Sequence, residues 1–252
     1  MIGGFPRAGT RNFCDVVNAS PVCKLEGEFE NSAYTQLADL VDAIDRKYAG
    51  RWMEKGFQER RLTSILKTYS LFSKTRKCEE PDWDKLQVAG FKKPFIETLH
   101  GATRTLFEPE VSQLVQFYCV RNVFDTFNSL AGAFGYSVEQ YNEGIRQSVD
   151  SLIALQKDAF FKFRPLSLDD YVASEDKPRW IKEHLFDVIG VATDIEECSA
   201  YLHTVTNRNR TPRGRRRAGI TDREREQITR DKKFVESIDW LEQYFGVRLL
   251  DV

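Results

Sequence analysis

The stretch Ile2–Phe13, IGGFPRAGTRNF, decides how the rest of the chain is read. Met1 to Phe5 suits a short strand, and in RNFCDVV (Arg11–Val17) Phe13, Val16 and Val17 recur at helical spacing, so the order is strand, tight turn, helix. That order brings the backbone N–H groups of a turn and of a helix N-terminus to one point, which makes an anion site before any side chain is counted. Gly4 and Gly9 have the G-x-x-x-x-G spacing of a nucleoside-triphosphate loop, but Thr10 and Arg11 stand where that motif needs Lys and Ser/Thr. Arg7 and Arg11 add fixed charge, and Thr10 and Asn12 add neutral donors. The plain alternative is a glycine turn with solvated arginines.

A second stretch supplies a partner for the loop. LVQFYCV (Leu114–Val120) is a continuous apolar run rich in β-branched and aromatic residues, the pattern of a strand covered on both faces. It ends at Arg121, and Ser129 follows eight residues later, about two turns into the helix expected for VFDTFNSLAGAF. Ligands of open α/β sheets bind beyond the carboxyl ends of the strands, so Arg121 and the opening loop can face one crevice. FFKFRPLSL is a third strand candidate, and helices are expected from Ser32 to about Met53, Phe57 to Arg76, Val138 to about Phe160, and over WIKEHLFDVIGV. Strands alternating with helices specify an α/β fold with a mainly parallel central sheet flanked by helices.

Composition narrows the classes. A chain of 252 residues that is 41% hydrophobic fits one domain spanning residues 1–252, and a formal net charge of −1 gives no global reason to expect nucleic acid or membrane. The five cysteines (Cys14, Cys23, Cys78, Cys119, Cys198) are odd in number, scattered and without a C-x-x-C pair, which argues against a disulfide framework and against a zinc site. With no leader-like segment and no uncharged apolar run of about 18 residues, the expectation is a soluble, cytoplasmic protein with no metal. The segment Asn207–Gly219, NRNRTPRGRRRAG, concentrates positive charge, yet it has no aromatic residue on which bases could stack. Residues 220–246 read as C-terminal helices, started by Thr221-Asp222 and docked through Trp240, Leu241 and Phe245.

GFPRAGTRNF followed by FYCVRNVFDTFNSL resembles the sulfotransferases that use 3′-phosphoadenosine 5′-phosphosulfate (PAPS). That family carries P-[RK]-[SAG]-G-T between a strand and a helix, then an apolar strand ending in R-[DN]-P-x-[DE] with Ser eight residues after the Arg. Pro6-Arg7-Ala8-Gly9-Thr10 matches the first element; Arg121, Asn122, Asp125 and Ser129 match the second, with Val123 in place of the usual Pro and Ala8 in place of the commoner Ser. GFKKPFIET resembles the family's K-x-P segment, FRPLSLDDYV its [LF]-R-[YP]-E-[DE]-L region, and LFDVIGV its helix ending in L-G, so the likeness runs from Met1 to about Val191.

The resemblance implies a P-loop-like sulfotransferase fold, PAPS as donor and its desulfated product PAP as leaving group, with a hydroxyl or amine of a carbohydrate or small molecule as acceptor. It implies that Arg7, Ala8, Gly9, Thr10, Arg11 and Asn12 hold the 5′-phosphosulfate, that Arg121 and Ser129 hold the 3′-phosphate, and that Arg213, Gly214 and Arg215 close over the cofactor. Arg7 and a lysine of the Lys92-Lys93 pair, Lys92 first, would stabilise charge on the bridging oxygen. For the base, Glu28 best fits the carboxylate of the glycan-modifying branch, ahead of Glu26; His100 fits the histidine of the small-molecule branch. Two other classes compete. A P-loop kinase or NTPase shares the strand–loop–helix but needs a phosphate-binding Lys and a metal-binding Asp where this chain has Thr10 and Arg121. A nucleic-acid module would use the 207–219 arm.

Overall fold

The computed structural model describes residues 1–48, 57–72, 85–205, 217 and 219–250. Its strands are β1 (Ile2–Gly4), β2 (Cys23–Glu26), β3 (Val88–Phe91), β4 (Leu114–Val120) and β5 (Phe161–Ser167). The helices are α1 (Thr10–Val17), α2 (Asn31–Tyr48), α3 (Phe57–Phe72), α4 (His100–Phe107), α5 (Val123–Phe134), α6 (Val138–Leu155), α7 (Leu168–Ala173), α8 (Lys177–Ile181), α9 (Asp187–Ile189), α10 (Ile195–Thr204), α11 (Asp222–Arg230) and α12 (Lys232–Phe245).

All described strand pairs are parallel. β4 lies between β1 and β5, with Ile2 opposite Phe117 and Leu114 opposite Phe161, and β2 pairs with β3 from Cys23–Val88 to Glu26–Phe91. Beyond β3 the chain continues beside β1: Ile2 bridges Lys92, the Lys93 N–H donates to the Ile2 carbonyl at 2.9 Å, and the Phe95 N–H donates to the Gly4 carbonyl at 3.0 Å. The strand order is therefore β2-β3-β1-β4-β5, in keeping with the mainly parallel α/β sheet expected from the sequence. Connections diverge between β1 and β4, and at such a switch point a crevice opens at the carboxyl ends.

β4 earns its central place by composition: Phe117, Tyr118, Cys119 and Val120 are almost wholly buried. Helices flank it where the sequence supplies both an apolar stripe and a cap. Asn122 caps α5 by accepting from the N–H groups of Phe124 and Asp125, and Gly135 ends that helix at φ 72°. Capping boxes start α6 (Ser137 with Gln140) and α11 (Thr221 with Glu224), and Asp231 starts α12. Leu241 is fully buried, and Trp240 and Phe245 pack against the core. No described helix is long and apolar enough to cross a membrane.

Several details differ from the sequence reading. The helix from Val138 stops at Leu155, because Phe160 and Phe161 are needed at the head of β5. WIKEHLFDVIGV is broken by a π turn over Lys182–Phe186 between α8 and α9. The expected extensions to Met53 and Arg76 lie outside the described residues. β2 and β3 were not anticipated: four residues each, CKLE and VAGF offer no β-rich run, and pairing rather than propensity makes them strands.

β2 has a further support on its outer edge. The Asn18 side chain accepts from the Leu25 N–H at 2.6 Å and donates to the Leu25 carbonyl at 2.8 Å, taking the place of a neighbouring strand. Replacing Asn18 by alanine leaves both backbone groups without this partner and is expected to cost about 1–3 kcal/mol. Urea unfolding of Asn18→Ala beside Asn18→Asp, which keeps one acceptor, checks this; equal midpoints for Asn18→Ala and the native chain would contradict it.

Candidate functional site

The opening loop is held by backbone constraints. Gly4 has φ 85°, and a Cβ there would lie 2.4 Å from the Cys119 carbonyl oxygen, so glycine is what allows β1 to run this close to β4. The next N–H, of Phe5, donates to that same carbonyl at 2.8 Å. The chain then turns through Arg7 at φ 66°, a left-handed conformation that costs a non-glycine residue of order 1–3 kcal/mol and collects at functional sites. Among the described residues only Phe95, at φ 58°, shares this strain without being glycine. Gly9, at φ 86°, precedes α1, whose N-terminus has no side-chain cap and no acidic residue in its first turn. The positive end of that helix thus has no carboxylate of its own first turn beside it.

Beside the loop lies a cavity of about 610 Å³, within the range of small-molecule sites. Three cationic side chains reach its wall from the ends of three strands: Arg7 after β1, Lys92 after β3 and Arg121 after β4. Arg7 Nε donates to Ser129 Oγ at 2.9 Å. Arg121 pairs with Asp125 at 3.0 Å, and its buried Nε faces Asp169 at 3.7 Å, an ion pair too long to be a hydrogen bond. Asn12 Nδ2 is also buried, beside the Tyr171 side chain. Burial first, and then the like charge of Arg121, lower the pKa of Arg7, with Glu28 opposing. Arginine keeps its proton regardless, so two like charges face each other here, a repulsion that an anion would relieve.

Lys92 is buried, its side chain only 6% exposed, and ion-pairs with Glu28, whose side chain is 46% exposed and also lines the cavity. Among the described lining residues Glu28 is the one carboxylate. Lys93 turns away, donating to the Phe29 carbonyl at 2.9 Å. Glu26 is buried in β2 outside the cavity wall, its backbone carbonyl accepting from the Lys92 N–H at 2.8 Å.

The remaining expected residues divide. Thr10, Arg11 and Asn12 line the cavity, although Arg11 is engaged by Asp15 at 2.9 Å. Ala8 is wholly buried and presents no side chain to the cavity. His100 stands apart: it opens α4, and its Nδ1 lies 3.3 Å from the Glu97 carbonyl, outside the cavity wall. The seven residues Lys93–Leu99 that separate Lys92 from α4 carry it past the site. Arg213, Gly214 and Arg215 lie outside the described residues. Sequence reasoning missed Phe134 and Leu168, which line the cavity, and Asp169, whose Oδ2 accepts from the Asn122 N–H at 2.6 Å. The acidic pair after β5 was the available signal for Asp169.

No protein-family model matches the sequence, and no curated protein matches it either. Solved structures do resemble it. The sulfotransferase STF9 from Mycobacterium avium superposes with a TM-score of 0.54 at 13% identity, over 99% of this chain and 77% of that one. The sulfotransferase domain of the olefin synthase from Synechococcus PCC 7002 superposes with a TM-score of 0.51 at 13% identity, over 95% of this chain and 92% of that one. At such identity the likeness is one of architecture: the chain has the P-loop-like sulfotransferase fold.

Proposed function

We propose that the protein transfers a sulfuryl group from PAPS to a hydroxyl or amine of a carbohydrate or small-molecule acceptor, releasing PAP. The observation that carries this reading is the convergence of Arg7, Lys92 and Arg121, from the ends of three parallel strands, on a cavity whose one described carboxylate is Glu28. The donor set suits a nucleotide with two separate anionic groups: an uncapped helix N-terminus, the guanidinium groups of Arg7 and Arg121, and a hydroxyl at Ser129 already within reach of Arg7.

PAPS supplies an activated S–O bond whose leaving group is a phosphate oxygen. Arg7 and the loop amides hold the 5′-phosphosulfate, and Arg121 with Ser129 holds the 3′-phosphate. Lys92 offsets the charge that grows on the bridging oxygen as that S–O bond breaks and the acceptor's forms. Glu28 receives the acceptor's proton. The whole chain acts as one unit in this reading, working in the cytoplasm and without nucleic acid as partner.

Saturating PAP is expected to raise the melting temperature by about 5–10 °C, the shift that about 100-fold excess over Kd gives a chain of this size. Arg121→Ala should lose most of it. A native protein that melts unchanged with PAP would refute the proposal, and magnesium-dependent turnover of ATP would favour phosphoryl transfer in its place.

A further inference from the structure

One carboxyl group under the site belongs to no step above. Glu97 is 1% exposed and lies on the short turn Ile96–Leu99, just past the segment that carries Lys92. Its Oε2 accepts from the Gly4 N–H at 3.3 Å and from the Gln116 side-chain amide at 3.0 Å. Its Oε1 accepts from the Ser148 hydroxyl, whose oxygen is 2.6 Å from the Tyr118 hydroxyl. The carboxyl thus ties together β1 as it enters the Arg7 loop, the turn after Lys92, and the strand that delivers Arg121.

A second observation points the same way. Gly3 has no side chain because one would collide with this group: a Cβ there would meet Ile96 at 2.7 Å, the Gln116 amide at 2.8 Å and Glu97 Oε2 at 3.0 Å. The two strained non-glycine residues, Arg7 and Phe95, sit on the two segments that Glu97 joins. Strained backbone persists where its surroundings over-determine it. Burial raises the pKa of Glu97, and the hydrogen bonds from Ser148, Gly4 and Gln116 oppose that rise.

We propose that Glu97 is a positioning residue that locks the Arg7 loop, the Lys92 turn and the Arg121 strand into one fixed anion-binding geometry. The proposal rests on the sulfuryl-transfer reading for the identity of the anion, and on contacts alone for the locking.

Glu97→Gln and Glu97→Ala, followed by amide hydrogen exchange and by PAP titration calorimetry, test it. With alanine, exchange should quicken at least tenfold over residues 3–12 and 92–98 while α12 stays protected, and PAP should bind about tenfold more weakly. Glutamine, which keeps one carbonyl acceptor, should restore most of both. Uniform quickening across the whole chain in Glu97→Ala, or loop exchange and PAP affinity equal to the native protein's, overturns the proposal. Should alanine fail to fold, Ser148→Ala removes one donor only, and unchanged loop exchange in it counts against the locking. The native protein is the separate control: no heat with PAP there overturns the sulfuryl-transfer reading, whereas a native affinity retained by Glu97→Ala overturns this one.

Discussion

Glu28→Gln should lower the rate of sulfuryl transfer by about 10²- to 10⁴-fold, the usual contribution of a positioned proton acceptor. The amide keeps the size of the carboxyl and cannot take a proton. PAP affinity should change little, because Glu28 pairs with Lys92 rather than with Arg121 or Ser129 and is proposed to meet the acceptor rather than the donor. The measurement is transfer from radiolabelled PAPS to a panel of sugars, phenols, alkyl alcohols and tyrosine peptides, with circular dichroism as a check on folding, since buried Lys92 loses its anionic partner. A variant that transfers at the native rate would remove Glu28 from the mechanism.

Gly4→Ala is expected to be the most damaging of single substitutions that add one carbon. Its Cβ would enter the backbone of Cys119, 2.4 Å from the oxygen and 2.5 Å from the nitrogen, at a φ of 85°. Overpacking and left-handed strain together come to roughly 3–5 kcal/mol, a large part of the stability of an ordinary domain. Gly101→Ala is the matched control. Nothing lies within 4 Å of its added carbon and it sits in α4, so it should stabilise by about 0.5–1 kcal/mol. Denaturation midpoints moving in opposite directions would bear out the reasoning; a Gly4→Ala midpoint near the native one would not.

What could be read from the sequence was what local pattern encodes. β4 is legible because burial on both faces calls for a dense run of apolar residues, six of its seven, and α5 because Asn122 and Gly135 mark its ends. The loop after β1 is legible from its glycines and arginines, although one inference about them needed coordinates: Gly3 and Gly4 make room for Glu97 and for Cys119, not for a phosphate. β2 and β3 were illegible because each is defined by its neighbour. Glu97 was illegible for a related reason, since its donors come from positions 4, 116 and 148, and nothing in PFIETLH distinguishes a buried acid from a surface one. His100 shows the opposite error, a chemically apt residue whose chain direction carries it away from the cavity.

The junction at Ile2 and Lys92 has a consequence for how such a site can change. Arg7, Arg121 and Ser129 ride on the β1-β4-β5 portion, while Lys92 and Glu28 ride on the β2-β3 portion. In the proposed reaction the groups for the nucleotide's two anionic ends are thus carried by one portion and the proton acceptor Glu28 by the other, with Lys92 at the seam that joins them. Substitutions around Glu28 would then be expected to alter which acceptor is modified more than how tightly PAP is held.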